Sequence, residues 1–120
     1  SLLMACGALE PAKRLRLPIT YIHFNNASLG WIQALQHLYF DRRFFGVDFE
    51  RFDAAAIARG FGLEASRPAN VDDIVAAVKG GMKSMTPLFL DVWVPAEHEL
   101  LPPVAPWVAA AQGDVNRPIY

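Results

Sequence analysis

Cysteine is nearly missing. Cys6 is the only one in 120 residues, which excludes an internal disulfide and fits a reducing cytoplasm. Charge of one sign is missing too: 11 Lys and Arg against 12 Asp and Glu leave a formal net charge of −1. That balance gives no electrostatic case for nucleic acid or for an anionic membrane surface. Lys13, Arg14 and Arg16 cluster as a solvated helix end does. No apolar run approaches the roughly 20 residues of a membrane span, and no charged segment with an apolar core opens the chain as a secretory signal would. The opening Ser1-Leu2-Leu3 lacks Met, as a processed or truncated product would. There is no internal repeat. Glycine forms no phosphate loop: Gly60-Phe61-Gly62 closes a helical stretch rather than opening one. His23, His37 and His98 show no metal-ligand spacing. What is abundant is apolar surface, 53% of all residues, and for so short a chain this predicts that some of it faces a partner.

Periodicity then gives the order of elements. Residues 2–16 have helical composition interrupted by Pro11, which deletes a backbone bond and crowds the carbonyl of Gly7, so a kink or two short helices are expected. Residues 19–24 are continuously apolar, as in a central parallel strand covered on both faces. Residues 29–40 carry Trp31, Leu35 and Leu38 on one stripe with Ile32 and Tyr39 beside it, and Ser28 is placed to cap that helix. Residues 41–50 read as a charged, aromatic connection. A second, alanine-rich helix covers 52–60 and a short strand 63–66. Asn70 caps a helix whose first turn holds Asp72 and Asp73, with Ile74, Val75, Val78 and Met82 as its core stripe. Residues 88–94 form another continuous apolar strand, and a proline-rich loop leads to a short final helix near 107–112. The order predicts an α/β fold with a parallel sheet and helices on both faces. Two of its three visible strands read as central, so the sheet is expected to be incomplete. Residues 1–95 form the sheet-bearing part and residues 96–120 a tail.

Chemistry is sparse. Cys6 has no His or CxxC partner, which argues against a thiol nucleophile. His23 and Asp91, both inside strands, read as buried polar groups that must find partners. The remaining feature is "LPITYIHFNNASLGW" at residues 17–31, a strand ending in Asn25-Asn26. Turn chemistry is one reason for asparagine there. The other is a ligand, because open α/β sheets bind outside the carboxyl ends of strands and a helix N-terminus attracts phosphate. An amide oxygen with a nearby carbonyl suits Mg²⁺ or Ca²⁺, and Mg²⁺ is commonly shared with phosphate oxygens.

That segment resembles the second half of the thiamine diphosphate signature of acetolactate synthases and related 2-oxo acid decarboxylases, which begins with GDG and closes on a strand ending in NN. "SLLMACGALEPAKRLRLPI" resembles the stretch that follows GDG, which would place GDG immediately before Ser1. "VDFERFDAAAIARGFGLEASRPANVDDIVAAVKGGMKSMTPLFLDVWV" resembles the rest of that cofactor-binding domain. NN by itself is weak. The ordered set of NN, FD-x-x-x-IA-x-x-FG, the acidic helix start and P-x-FLDV is fairly specific.

The resemblance implies a C-terminal thiamine diphosphate-binding domain. In it Asn26 would ligate Mg²⁺ through its side chain and Ser28 through its carbonyl, with Ser1, Gly30 and Trp31 near the cofactor. It implies decarboxylation of a 2-oxo acid with carboligation, the cofactor carrying the chemistry. The aspartate of GDG and the activating glutamate, which comes from the partner subunit, are not in these 120 residues, so no catalytic residue is assigned here and the chain alone should be inactive. A homodimer or homotetramer is implied. Simple decarboxylases carry a glutamate at the position of Ile32, which favours the acetolactate synthase-like reading. Trp31 and Leu35 fall where that group lines its substrate channel, or else they only pack. The alternatives are a simple 2-oxo acid decarboxylase and a non-catalytic α/β interaction subunit.

Overall fold

The computed structural model describes residues 2–96 together with Glu99, Leu100 and Ala109. Ser1 and His98 lie outside these, as does the expected final helix apart from Ala109. The chain divides into two compact units, Ser1–Asn25 with Phe52–Trp93, and Asn26–Arg51 with Val94–Tyr120.

The first unit holds the sheet. It opens with α1 (Leu2–Ala5), a 3-10 turn (Cys6–Ala8) and α2 (Leu9–Arg14). The interruption expected from Pro11 is therefore real, but it falls upstream of the proline. Pro11 has no N–H for the Gly7 carbonyl, and the Leu9 N–H turns to the Cys6 and Gly7 carbonyls, which tightens the turn before α2. Strand β1 (Thr20–Asn25) follows, then in this unit α4 (Ala54–Gly60), β2 (Glu64–Ser66), α5 (Val71–Gly81) and β3 (Leu88–Trp93); α3 (Gly30–Tyr39) belongs to the second unit. The sheet is parallel in the order β1-β3-β2, an incomplete α/β sheet as expected. Thr20 lies opposite Leu88 and Asn25 opposite Trp93, while Glu64 also pairs with Leu88.

Only β3 is central. Its residues Leu88 to Val92 are all buried, as their continuous apolar run predicts. β1 was expected to be central as well, but among the described residues it pairs on one side only. Its side chains alternate, so that Ile22 is 41% and Phe24 65% exposed. An unbroken apolar run therefore does not show that both faces are covered within this chain.

The core gathers Leu9, Ala54, Ala58, Leu63 and Phe89, with Tyr21, Phe52 and Phe61 packed around it. Small residues on α4 let the helix lie close to the sheet, and Ala54, Ala55 and Ala58 are essentially inaccessible. α4 starts on Asp53, whose carboxylate accepts the Ala56 N–H at 2.8 Å. It ends in a Schellman closure: Leu63 N–H reaches the Ala58 carbonyl at 3.1 Å, Gly62 N–H reaches Arg59 at 2.8 Å, and Gly62 has φ +81°, a conformation that favours glycine. Asn70 caps α5 as expected, accepting the Asp73 N–H at 2.9 Å. The inner stripe of α5 is Ile74, Val78 and Gly81. Val75 and Met82, expected in that stripe, are exposed at 43% and 80%. Among the described residues no helix is long and apolar enough to cross a membrane.

Candidate functional site

Two polar centres emerge, one in each unit. In the sheet unit, Asp91 on β3 is fully buried. It accepts from His23 Nδ1 (3.1 Å), Asn25 Nδ2 (3.4 Å), Arg67 Nε and Nη2 (3.3 and 3.2 Å) and Trp93 Nε1 (3.2 Å). The Arg67 guanidinium also lies 4.2 Å from the centre of the Trp93 ring. This satisfies the expectation that His23 and Asp91 are buried groups with partners. It also assigns the first asparagine of the pair: Asn25 is 3% exposed, and its amide bonds Asp91 and the Phe52 carbonyl. Asn25 is structural.

Asn26 opens the second unit and behaves differently. Its Oδ1 accepts the Ser28 N–H at 3.2 Å, which is the turn chemistry asparagine favours. Ala27 between them sits at φ +54°, a conformation in which a Cβ is disfavoured. Ser28 pairs antiparallel with Asp48, flanked by Leu29 N–H to Val47 O and Phe49 N–H to Ala27 O, both 2.8 Å. In a pair flanked this way, the N–H and C=O of the paired residue point away from its partner strand. The Ser28 N–H uses that outer edge to reach Asn26 Oδ1, so the Ser28 carbonyl lies on the same edge. Among the described residues no backbone N–H reaches that carbonyl, and Asn26 Oδ1 keeps a second lone pair. The loop thus presents two hard oxygens on one edge, the donor type Mg²⁺ prefers.

Two further details fit an anionic cofactor at this loop. Ser28 Oγ is buried and has no hydrogen-bond partner among the described residues, a deficit of about 1–3 kcal/mol unless an acceptor arrives. The helix α3 starts at Gly30 after Leu29, with no side-chain cap. Ser28 therefore does not cap it as expected, because the Ala27–Leu29 backbone is committed to the 47–49 segment. An uncapped first turn leaves helix N–H groups for an anion. Among the described residues no group of three His, Cys, Asp or Glu side chains could hold a metal. Gly30 begins α3 and Leu35 is half-buried, while Trp31 is 58% and Ile32 47% exposed. The buried residues of α3 are instead Gln33 and Leu38.

Residues 1–92 match the family of thiamine pyrophosphate enzymes, over the C-terminal TPP binding domain. The chain belongs to that family. Acetolactate synthase from Bacillus subtilis (strain 168) is 31% identical over 90 residues, which are 75% of this chain and 16% of that protein. The probable acetolactate synthase large subunit of Methanocaldococcus jannaschii is 31% identical over 106 residues, 87% of this chain and 18% of that protein. The chain thus spans less than a fifth of the length of these curated relatives. As a TPP binding domain it has thiamine diphosphate as its cofactor, and the incomplete parallel sheet described above is a part of the family's α/β architecture.

Sequence reasoning missed Gln33 and Asp48. Gln33 is 1% exposed and donates from Nε2 to Asp48 Oδ1 at 2.6 Å. Its polar side chain falls among apolar neighbours without marking a stripe, and its partner lies 15 residues away. A buried register occupied by glutamine was the available signal, and it was obscured by the exposed Trp31 and Ile32.

Proposed function

We propose that this chain is the cofactor-anchoring part of a thiamine diphosphate- and Mg²⁺-dependent enzyme that decarboxylates a 2-oxo acid and ligates the product to an acceptor carbonyl, as acetolactate synthases do. The observation that carries this reading is the Asn26–Ser28 loop, with two hard oxygens on one edge and a buried hydroxyl lacking an acceptor. Asn26 Oδ1 and the Ser28 carbonyl hold the Mg²⁺, Ser28 Oγ donates to a diphosphate oxygen, and the uncapped start of α3 at Gly30 receives the same anion. Bound thiamine diphosphate supplies the carbanion stabilisation that decarboxylation needs. Trp31 and Leu35 shape the substrate side, with Trp31 beside the cofactor.

The remaining ligands come from elsewhere. The GDG aspartate would complete the metal's ligands and the activating glutamate would act on the cofactor itself; both belong to the rest of the same polypeptide or to a companion subunit, in a homodimer or homotetramer. Residues 1–95 are then part of the cofactor domain and residues 96–120 its tail. By itself the chain is inactive. The free Cys6 suits a reducing cytoplasm.

Titration calorimetry on the full-length protein tests the assignment. With Mg²⁺ present, Asn26→Ala should weaken thiamine diphosphate binding at least about tenfold, a loss of ~1.4 kcal/mol. Affinity within about twofold of the parent refutes the metal-ligand role. Product analysis with a 2-oxo acid then separates ligation, expected here, from plain release of an aldehyde.

A further inference from the structure

We infer that Gln33 and Asp48 are positioning residues for the metal loop, a role that rests on the reading of Asn26 and Ser28 just proposed. The loop needs an external brace. Ala27 is held in the left-handed region at φ +54°, which a non-glycine residue occupies only when its surroundings fix it there. Those surroundings include the 47–49 segment. It closes on the loop through the two backbone bonds that make the Ser28–Asp48 bridge. Val47, 1% exposed, anchors its inner end.

Backbone pairing of so few residues is weak, and the Gln33–Asp48 bond ties it to α3. Gln33 lies one helical turn beyond Leu29, and its own N–H bonds the Leu29 carbonyl at 2.9 Å. One residue of α3 therefore grips both sides of the bridge: the loop through its backbone, and the opposing segment through its side chain at 2.6 Å. Asp48 is exposed whereas Gln33 is not. A carboxylate can only accept, so it must face the amide NH2. That orientation leaves Gln33 Oε1 buried and unpartnered among the described residues. A side chain kept buried at that cost is placed for its NH2 and for the bond that NH2 makes. Without the bond, the 47–49 segment loosens, Ala27 relaxes out of its left-handed conformation, and the outer edge no longer presents Asn26 Oδ1 and the Ser28 carbonyl together. Groups that orient a metal ligand in this way typically account for about 10–100-fold in metal affinity.

The test is the Mg²⁺ dependence of thiamine diphosphate binding by the full-length protein, read as quenching of tryptophan fluorescence at saturating thiamine diphosphate. Asp48→Ala and Gln33→Met should each raise the half-saturating Mg²⁺ concentration about tenfold or more. Asp48→Asn keeps an acceptor oxygen and should return it to within about threefold of the parent. Gln33→Met conserves volume, so it decides the matter if Asp48→Ala does not fold. A purely structural bond would lower the thermal midpoint of the metal-free protein and leave Mg²⁺ half-saturation unmoved. That result for Gln33→Met, beside an Asn26→Ala variant that does lose Mg²⁺, overturns the positioning role alone. An Asn26→Ala variant with unaltered Mg²⁺ dependence removes the metal loop and this inference with it.

Discussion

Removing the Asp91 carboxylate should loosen the central strand by an amount that follows from the exposure of its partners. Asp91 is fully buried and accepts from four side chains. Deleting one partner of a buried charged pair costs ~3–5 kcal/mol. Here the donors left behind have different escapes. The Arg67 side chain is 35% exposed and Trp93 45%, so both can turn to water. Asn25, 3% exposed, keeps its 3.4 Å bond to the Phe52 carbonyl. Only His23, with 19% side-chain exposure, is left poorly served. The expected cost of Asp91→Ala is therefore near the lower bound, about 3 kcal/mol. Hydrogen exchange of the full-length protein reads this locally, since β3 amides should exchange roughly a hundredfold faster. Asp91→Asn retains one acceptor oxygen but turns an NH2 toward donors, so it should fall between the parent and Asp91→Ala. Exchange in Asp91→Ala within about threefold of the parent would mean that the carboxylate does not hold the strand, and the reasoning fails.

The two adjacent glycines of α5 should respond in opposite directions. A Cβ at Gly81 would collide with Thr20 Oγ1 and come within 3.1 Å of Leu88 Cδ2, whereas one at Gly80 meets nothing within 4 Å. Gly81→Ala should destabilise by ~1–3 kcal/mol and Gly80→Ala should stabilise by ~0.5–1 kcal/mol, both visible as shifts in thermal midpoint. Asp53 gives a pH signature. Its carboxyl is held below the ordinary 3.8, chiefly by the Ala56 N–H, with Arg67 and Arg59 adding to the effect. A depressed carboxyl stabilises the fold above its unfolded value and loses that contribution as pH falls through its lower folded one. The thermal midpoint of Asp53→Ala should therefore lie below the parent at neutral pH, and the gap should close below about pH 3.8; a gap constant with pH would contradict the cap.

Much of the sheet unit was legible because local chemistry and tertiary packing agree there. Asn70 followed by Asp72 and Asp73 starts α5, and the unbroken run from Leu88 is the buried strand it resembles. The sequence also showed that Asp91 and His23 need partners, but not that they would partner each other, since 68 residues separate them. Where the reading erred, pairing across the chain overrode local preference. Ile22 and Phe24 on β1 stand exposed for another reason, the incomplete sheet that was expected. Ser28 has the side chain of a cap, yet its backbone is recruited by residues 47–49. The asparagine pair was visible but not its division of labour. Alternation along β1 turns Asn25 toward Asp91, and the next residue begins a different unit. The Gln33–Asp48 bond left no local mark, because spacing cannot show which polar residue an edge segment will choose.

The border of β1 carries a further consequence. Beyond it, among the described residues, no strand takes up its outward amides and carbonyls, and Phe24 and Ile22 stand beside them. An uncovered, apolar strand edge is a template for any extended segment that drifts past. During synthesis, or after a protease has nicked the protein, this border is where neighbouring copies would zip together and precipitate. Covering β1 early would remove that template.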